Sequence, residues 1–140
     1  RSMQTSMASV SLSGGLAEKL EASVRLGEAN TRMKDFFDIW FLCRKFPFEG
    51  ELLKDAITRT FARREMPLPT TVPVALTPEF AALKAATWAV FIRRNALAPV
   101  EMASTLDAIR VFAWPVMEAV VNTEVFNEHW TPAKGWQPSE

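Results

Sequence analysis

Lys19, Asp35 and Asp38 are the charged residues with the clearest chemical potential. They lie in the stretch LAEKLEASVRLGEANTRMKDFFDIWFLCRKF, residues 16–46. Asp35 and Asp38 interrupt a run that is otherwise almost wholly apolar and aromatic. Their three-residue spacing puts both carboxylates on one helical face. Carboxylates so placed can bind a cation, orient a lysine, or accept a proton from a substrate hydroxyl. Lys19, on the preceding segment, can stabilise phosphate charge as a compact cation. A purely structural account is also open. Asp35 falls near the first turn of its helix, where the dipole favours a carboxylate by about 0.3–1 kcal/mol. Lys34 and Asp38 form an i,i+4 pair worth about 0.2–0.5 kcal/mol. Lys19 would then simply face water.

The positioning elements follow from periodicity. Leu16, Leu20 and Val24 recur every fourth residue, predicting a helix over about residues 16–26, with Lys19 on its more polar flank. Gly27 supplies a left-handed stop, and Asn30 or Thr31 is a natural N-cap for the next helix. That helix runs to about Lys45 and ends before Pro47. Its apolar residues surround nearly the whole circumference, which predicts the central helix of the fold. A third helix should reach about Arg64, with Leu53, Ile57, Thr60 and Phe61 inward. Residues 66–76 hold three prolines and read as an extended connection. Thr77-Pro78-Glu79 is a strong helix start, opening a helix to about Asn95 that buries Phe80, Leu83, Trp88 or Thr87, Phe91 and Ile92. A further helix from Pro99 to about Val121, with Val111 and Phe112 on its core side, should kink or split at Pro115. The tail from Thr123 looks irregular, but Phe126, Trp130 and Trp136 should dock it on the helices. No period-two strand pattern stands out. The expectation is an all-α domain of five to six helices with an irregular, aromatic-rich C-terminal tail. Residues 1–15 read as a flexible leader or expression scar, with Gly14-Gly15 a linker, and residues 16–140 as a single helical domain.

With 16 basic and 16 acidic residues the formal net charge is zero, which argues against binding nucleic acid or anionic membrane by bulk charge. A local patch remains open: Arg59, Arg63 and Arg64 with Arg93 and Arg94 are candidates for an RNA backbone, although solvated helix faces are the commoner reading. One cysteine, Cys43, rules out an intrachain disulfide and thiolate clusters. It reads as an inert buried thiol. The single histidine, His129, reads as a tail residue, and no metal site is expected within the chain. Phe36, Phe37, Trp40 and Phe41 read as core before a base-stacking platform. No apolar run approaches the length of a membrane span and no secretory signal opens the chain; a cytoplasmic setting is expected.

The order AEKLEASVRLGEANTRMKDFFDIWFLCRKFPFEG, followed by a helix ending Phe61-Ala62-Arg63-Arg64, resembles the C-terminal part of AbiEii-type nucleotidyltransferases, toxins of bacterial abortive-infection toxin–antitoxin systems. The likeness continues through the proline-rich connector, Ala75-Leu76-Thr77-Pro78, the helix around residues 112–115, and the Phe126, Trp130, Gly135-Trp136 tail. In that family an N-terminal polymerase-β-like domain carries a Gly-Gly-Ser/Thr nucleotide loop and an Asp-x-Asp metal pair, and this sequence contains neither. The resemblance implies that Lys19 is the family's motif lysine, contacting nucleotide phosphate. Asp35, with Asp38, is its DxxD, beside the catalytic centre as base or positioning residue; Asp38 orients Lys19 or Lys34 in the alternative. It also implies Mg²⁺ and NTP in the full-length protein but none bound to this part, an RNA acceptor such as tRNA, the missing N-terminal domain and a cognate antitoxin as partners, and no membrane. A chain holding only this half of the site is expected to be inactive alone. The competing expectation is a helical protein-interaction or RNA-binding module without catalysis.

Overall fold

A computed structural model describes residues 3–139, with side chains from Leu12 onward. The chain forms helix α1 (Met3–Leu26), α2 (Met33–Lys45), a short strand β1 (Phe48–Glu49), α3 (Gly50–Arg63), α4 (Pro78–Arg94), α5 (Met102–Val121) and a hairpin of β2 (Glu128–Thr131) and β3 (Gly135–Pro138). Among the described residues, five α-helices and one small sheet make the fold mostly α, as expected.

Several helix signals act as their chemistry predicts. Gly27 ends α1 at φ +54°. Thr77 caps α4, its hydroxyl accepting from the Phe80 N–H at 3.3 Å, with Pro78 at the first helical position. Leu53, Ile57, Thr60 and Phe61 all face inward from α3.

Other expectations need correction. Helix α1 begins at Met3, so residues 3–15, expected as a leader, are helical; Gly14 and Gly15 lie inside the helix. Leu12 packs against the core and Ser13 is buried, and that packing outweighs the low helix propensity of two glycines. Neither Asn30 nor Thr31 is the N-cap of α2, which is Arg32. Buried Asn30 instead accepts the Arg32 N–H through Oδ1 at 2.7 Å, bracing the turn one step earlier. The connector is not extended throughout, because residues 74–76 close a 3₁₀ turn that buries Ala75 and Leu76.

The central helix is α5, not α2. Helix α5 packs against α2, α3 and α4, while α1 lies chiefly on α3. Met102, Leu106, Ile109, Phe112, Val116 and Met117 are all buried. The helix continues through Pro115 without splitting. Proline removes the N–H that would bond the Val111 carbonyl and loosens the ladder around it. The neighbouring Phe112 carbonyl receives the Trp136 indole N–H at 2.8 Å. Val111, expected inside, is 58% exposed, and Leu83 of α4 is 59% exposed; each lies beside core positions without being one. Helix α2 buries Met33, Phe36, Ile39 and Cys43 on one side only.

The tail is regular. The sheet runs β1-β2-β3, antiparallel throughout, with Phe48 opposite Trp130 and Trp130 opposite Trp136. Phe112 is the aromatic hub, with ring centroids 5.2 Å from Phe48 and 4.9 Å from Trp130, both edge-on, and 5.7 Å from Trp136, stacked. The Trp130 indole N–H reaches the Cys43 carbonyl at 2.7 Å. The aromatics dock the tail, as expected, but they do so as strands. No helix among the described residues is long and apolar enough to cross a membrane.

Candidate functional site

The turn between α1 and α2 folds the two helices side by side and sets Lys19 against the first two turns of α2. The Lys19 ammonium lies 3.6 Å from Asp35 Oδ1 and 3.5 Å from Asp38 Oδ2. All three side chains are roughly a quarter exposed, at 29%, 22% and 24% for Lys19, Asp35 and Asp38. The structure therefore brings together the three residues singled out by type and spacing.

Their surroundings divide the two acids. Lys34 Nζ donates to Asp38 Oδ2 at 2.7 Å. That hydrogen bond, then the charge of Asp38, outweighs burial and holds the Lys34 ammonium above its ordinary pKa. The cations nearest Asp35 are Lys19 at 3.6 Å and Arg32 at 4.0 Å, beyond the 2.7–3.2 Å of a formed N–H···O bond. Asp38 Oδ2 is thus engaged as an acceptor, whereas among the described residues no side-chain donor hydrogen-bonds Asp35, which leaves both its oxygens for an incoming donor. Lys19 is held by charge between two carboxylates, with its N–H groups not locked to either.

A hollow of about 500 Å³ opens beside Asp35 between the start of α2 and the end of α4, and Arg32, Lys34, Thr87, Arg94 and Asn95 line it with that acid. Three cations against one carboxylate make it attractive to a polyanion. Arg32 was not apparent from the sequence as part of the site, since its contribution comes from the turn geometry ahead of α2. Arg94 was singled out for an RNA-backbone patch with the other arginines, not for a place beside Asp35, because α4 is distant from α2 in sequence.

The remaining basic candidates are elsewhere. Arg59 pairs with Asp55 at 3.1 Å. Arg63 and Arg64 both bond Glu18 of α1, Arg64 at 2.9 Å. Burial tends to raise the Glu18 carboxyl, but the hydrogen bonds and charges of Arg64 and Arg63 outweigh it and hold the group below its usual range. Arg93 lines a separate apolar groove between α4 and α5. The structure does not gather the five arginines into one patch. His129 sits half-buried in β2, opposite Glu49.

A magnesium ion, implied by the resemblance, seeks several oxygen ligands in near-octahedral array. Asp35 and Asp38 do not fit it, since Lys19, Lys34 and Arg32 already surround them. Among the described residues no group of three or more His, Cys, Asp or Glu side chains is arranged to hold a metal.

No curated protein and no solved structure matches the chain. The family model described as nucleotidyl transferase AbiEii toxin, Type IV TA system, matches residues 2–118. The match takes in the segment expected as a leader and stops before the aromatic tail. It includes α1, α2 and the whole Lys19, Asp35 and Asp38 cluster, and the chain belongs to the AbiEii family of nucleotidyl transferase toxins.

Proposed function

We propose that this chain is the helical part of a nucleotidyltransferase toxin and supplies Lys19 and Asp35 to transfer of a nucleotidyl group from an NTP to an RNA acceptor such as tRNA. The observation that carries the reading is the ammonium of Lys19 held between Asp35 and Asp38 at 3.6 and 3.5 Å, on two different helices of a chain in this family.

In this reading the acceptor hydroxyl attacks the α-phosphorus, and the new P–O bond forms as the α–β anhydride breaks and pyrophosphate leaves. Asp35 takes the hydroxyl proton, and Lys19 turns toward the charge gathering on the phosphate oxygens. Asp38, tied to Lys34, holds Lys19 in place. Such transfers depend almost wholly on positioning and charge stabilisation. Arg32, Lys34 and Arg94 line the hollow beside Asp35, and that excess of cations supports binding of a polyphosphate next to the acid. The nucleotide loop and the metal-binding acids, absent from these 140 residues, come from a polymerase-β-like domain outside this chain. Mg²⁺ is bound there, in a cytoplasmic bacterial setting, with an antitoxin as the counterpart.

The test has two arms. The isolated chain, incubated with each labelled NTP, Mg²⁺ and bulk tRNA, transfers no label; robust transfer by it overturns the division of the site. In the longer protein, Lys19→Ala or Asp35→Asn abolishes transfer while the unfolding free energy moves by less than about 1 kcal/mol, the scale of a partly exposed ion pair. Wild-type transfer by either variant overturns the assignment.

A further inference from the structure

Helix α2 turns large rings toward water. Phe41 is 42% exposed and Phe46, just past the helix, 37% exposed. Phe37 and Trp40 are half-buried; of the aromatic run expected as core, only Phe36 is wholly so. Phe37 and Phe41 stack at 6.1 Å and 21°. The Arg44 guanidinium stands 4.8 Å over the Trp40 ring and the Lys45 ammonium 5.5 Å over Phe41. With Ala98 these five side chains wall a hollow of about 320 Å³ whose lining holds two cations and no acid. Cations in the last turn of a helix are favoured by its dipole, which accounts for Arg44 and Lys45 but not for the exposed rings beneath them.

The hollow lies in line with the acids. Lys34, Asp38, Phe41 and Lys45 follow the i, i+4, i+7, i+11 spacing of a single helical face, a strip about 16 Å long at 1.5 Å per residue. Arg44 and Lys45 form no ion pair among the described residues, and a lining of two cations and no acid favours a polyanionic occupant over a mixed-charge protein face. A single nucleic-acid strand has the complementary chemistry, with flat bases for the rings and phosphates for the cations.

We propose that this strip of α2 is a docking track for single-stranded nucleic acid, whose bases stack on Phe41 and the walls formed by Phe37 and Trp40 while its phosphates lie against Arg44 and Lys45. The binding stands apart from the transfer reading; only the consequence, that a strand held here leads its end toward Asp35, rests on it.

The probe is a fluorescein-labelled single-stranded RNA of about a dozen nucleotides, titrated with the chain at low salt without NTP or metal and followed by anisotropy. Phe41→Ala weakens binding at least about fivefold, the lower range for losing one base–aromatic stack. The Arg44→Ala, Lys45→Ala double variant weakens it and reduces the slope of log K against log salt by about 1–2. Both variants keep the wild-type thermal melt, since these side chains are exposed or half-buried. Absence of RNA binding by the wild-type chain overturns the proposal, as does equal binding by Phe41→Ala. So does capture of a protein partner that Phe41→Ala abolishes while RNA does not bind. Because the assay reads no transfer, loss of activity in Lys19→Ala with RNA binding intact separates the fate of the two readings.

Discussion

Asp35 and Asp38 are near neighbours on one helix, and the difference between them is made by single side chains around them. Lys34 hydrogen-bonds Asp38 Oδ2, while among the described residues no cation comes closer than 3.6 Å to Asp35. This much was legible in the sequence, because an i,i+4 pair and a two-helix turn are local geometry that spacing encodes. Arg32 and Arg94 were not, because their approach to Asp35 depends on a turn conformation and on a helix distant in sequence. Cys43, on the buried side of α2, shows the same control by surroundings. Its thiol is 1% exposed, and burial, only partly offset by Arg44, pushes its pKa from 9.0 up to about 11. The folded state resists the thiolate, so the group's contribution to stability is complete below the unfolded pKa and is lost as pH rises through the folded one. Between pH 9.0 and about 11 the wild type is expected to lose up to about 3 kcal/mol relative to Cys43→Ala, at about 1.36 kcal/mol for each pH unit crossed. Urea unfolding of both proteins across that window checks it. A stability difference that does not change with pH would show that the thiol is not held in apolar surroundings.

Among the elements, the sequence located all five helices but began the first too late and chose the wrong centre. Helix α2 carries apolar residues around its circumference, and periodicity alone cannot distinguish burial on all sides from an exposed aromatic face. The distinction is made by α5, which fills the space that α2 would have occupied and leaves Phe41 outside. The same limit applies to β1, since a two-residue strand has no period to read. What fixes β1 is a close approach at the start of α3. Gly50 is buried, and a Cβ on it would stand 2.5 Å from Phe126 Cδ2 and 2.6 Å from the Glu128 carbonyl oxygen. The backbone contact cannot yield without moving β2. Gly50→Ala should therefore be destabilising by about 1–3 kcal/mol, the range for overpacking, despite the better helix propensity of alanine. A chemical denaturation midpoint equal to or above the wild type would show that the hairpin is free to shift.

At the scale of the whole molecule, the tail decides whether five helices make one cooperative unit. It lies beyond the family match at residues 2–118, yet it closes the end of the core where α2, α3 and α5 converge. Phe126 and Trp130 are buried to 8% and 7% exposure, and indole N–H groups of Trp130 and Trp136 bond backbone carbonyls of Cys43 and Phe112. The three aromatics were legible as docking groups from size alone; the strands were not, because four-residue segments rich in Trp, Thr, Gly and Pro show no alternation. Burying two large aromatics is worth about 1.5–3 kcal/mol each, before the cost of opening the faces of Phe48 and Phe112 to water. Against the 5–15 kcal/mol that holds a domain of ordinary size, that loss is a large fraction. Ending the chain at Asn122 is therefore expected to abolish the cooperative thermal transition, or to lower its midpoint by well over about 10 °C, at roughly 2–8 °C per kcal/mol, with dye-binding apolar surface exposed. Calorimetry and ANS fluorescence on the shortened chain check this. A sharp transition within a few degrees of the full chain would mean that the helices close on themselves, and that the hairpin serves a purpose other than stability.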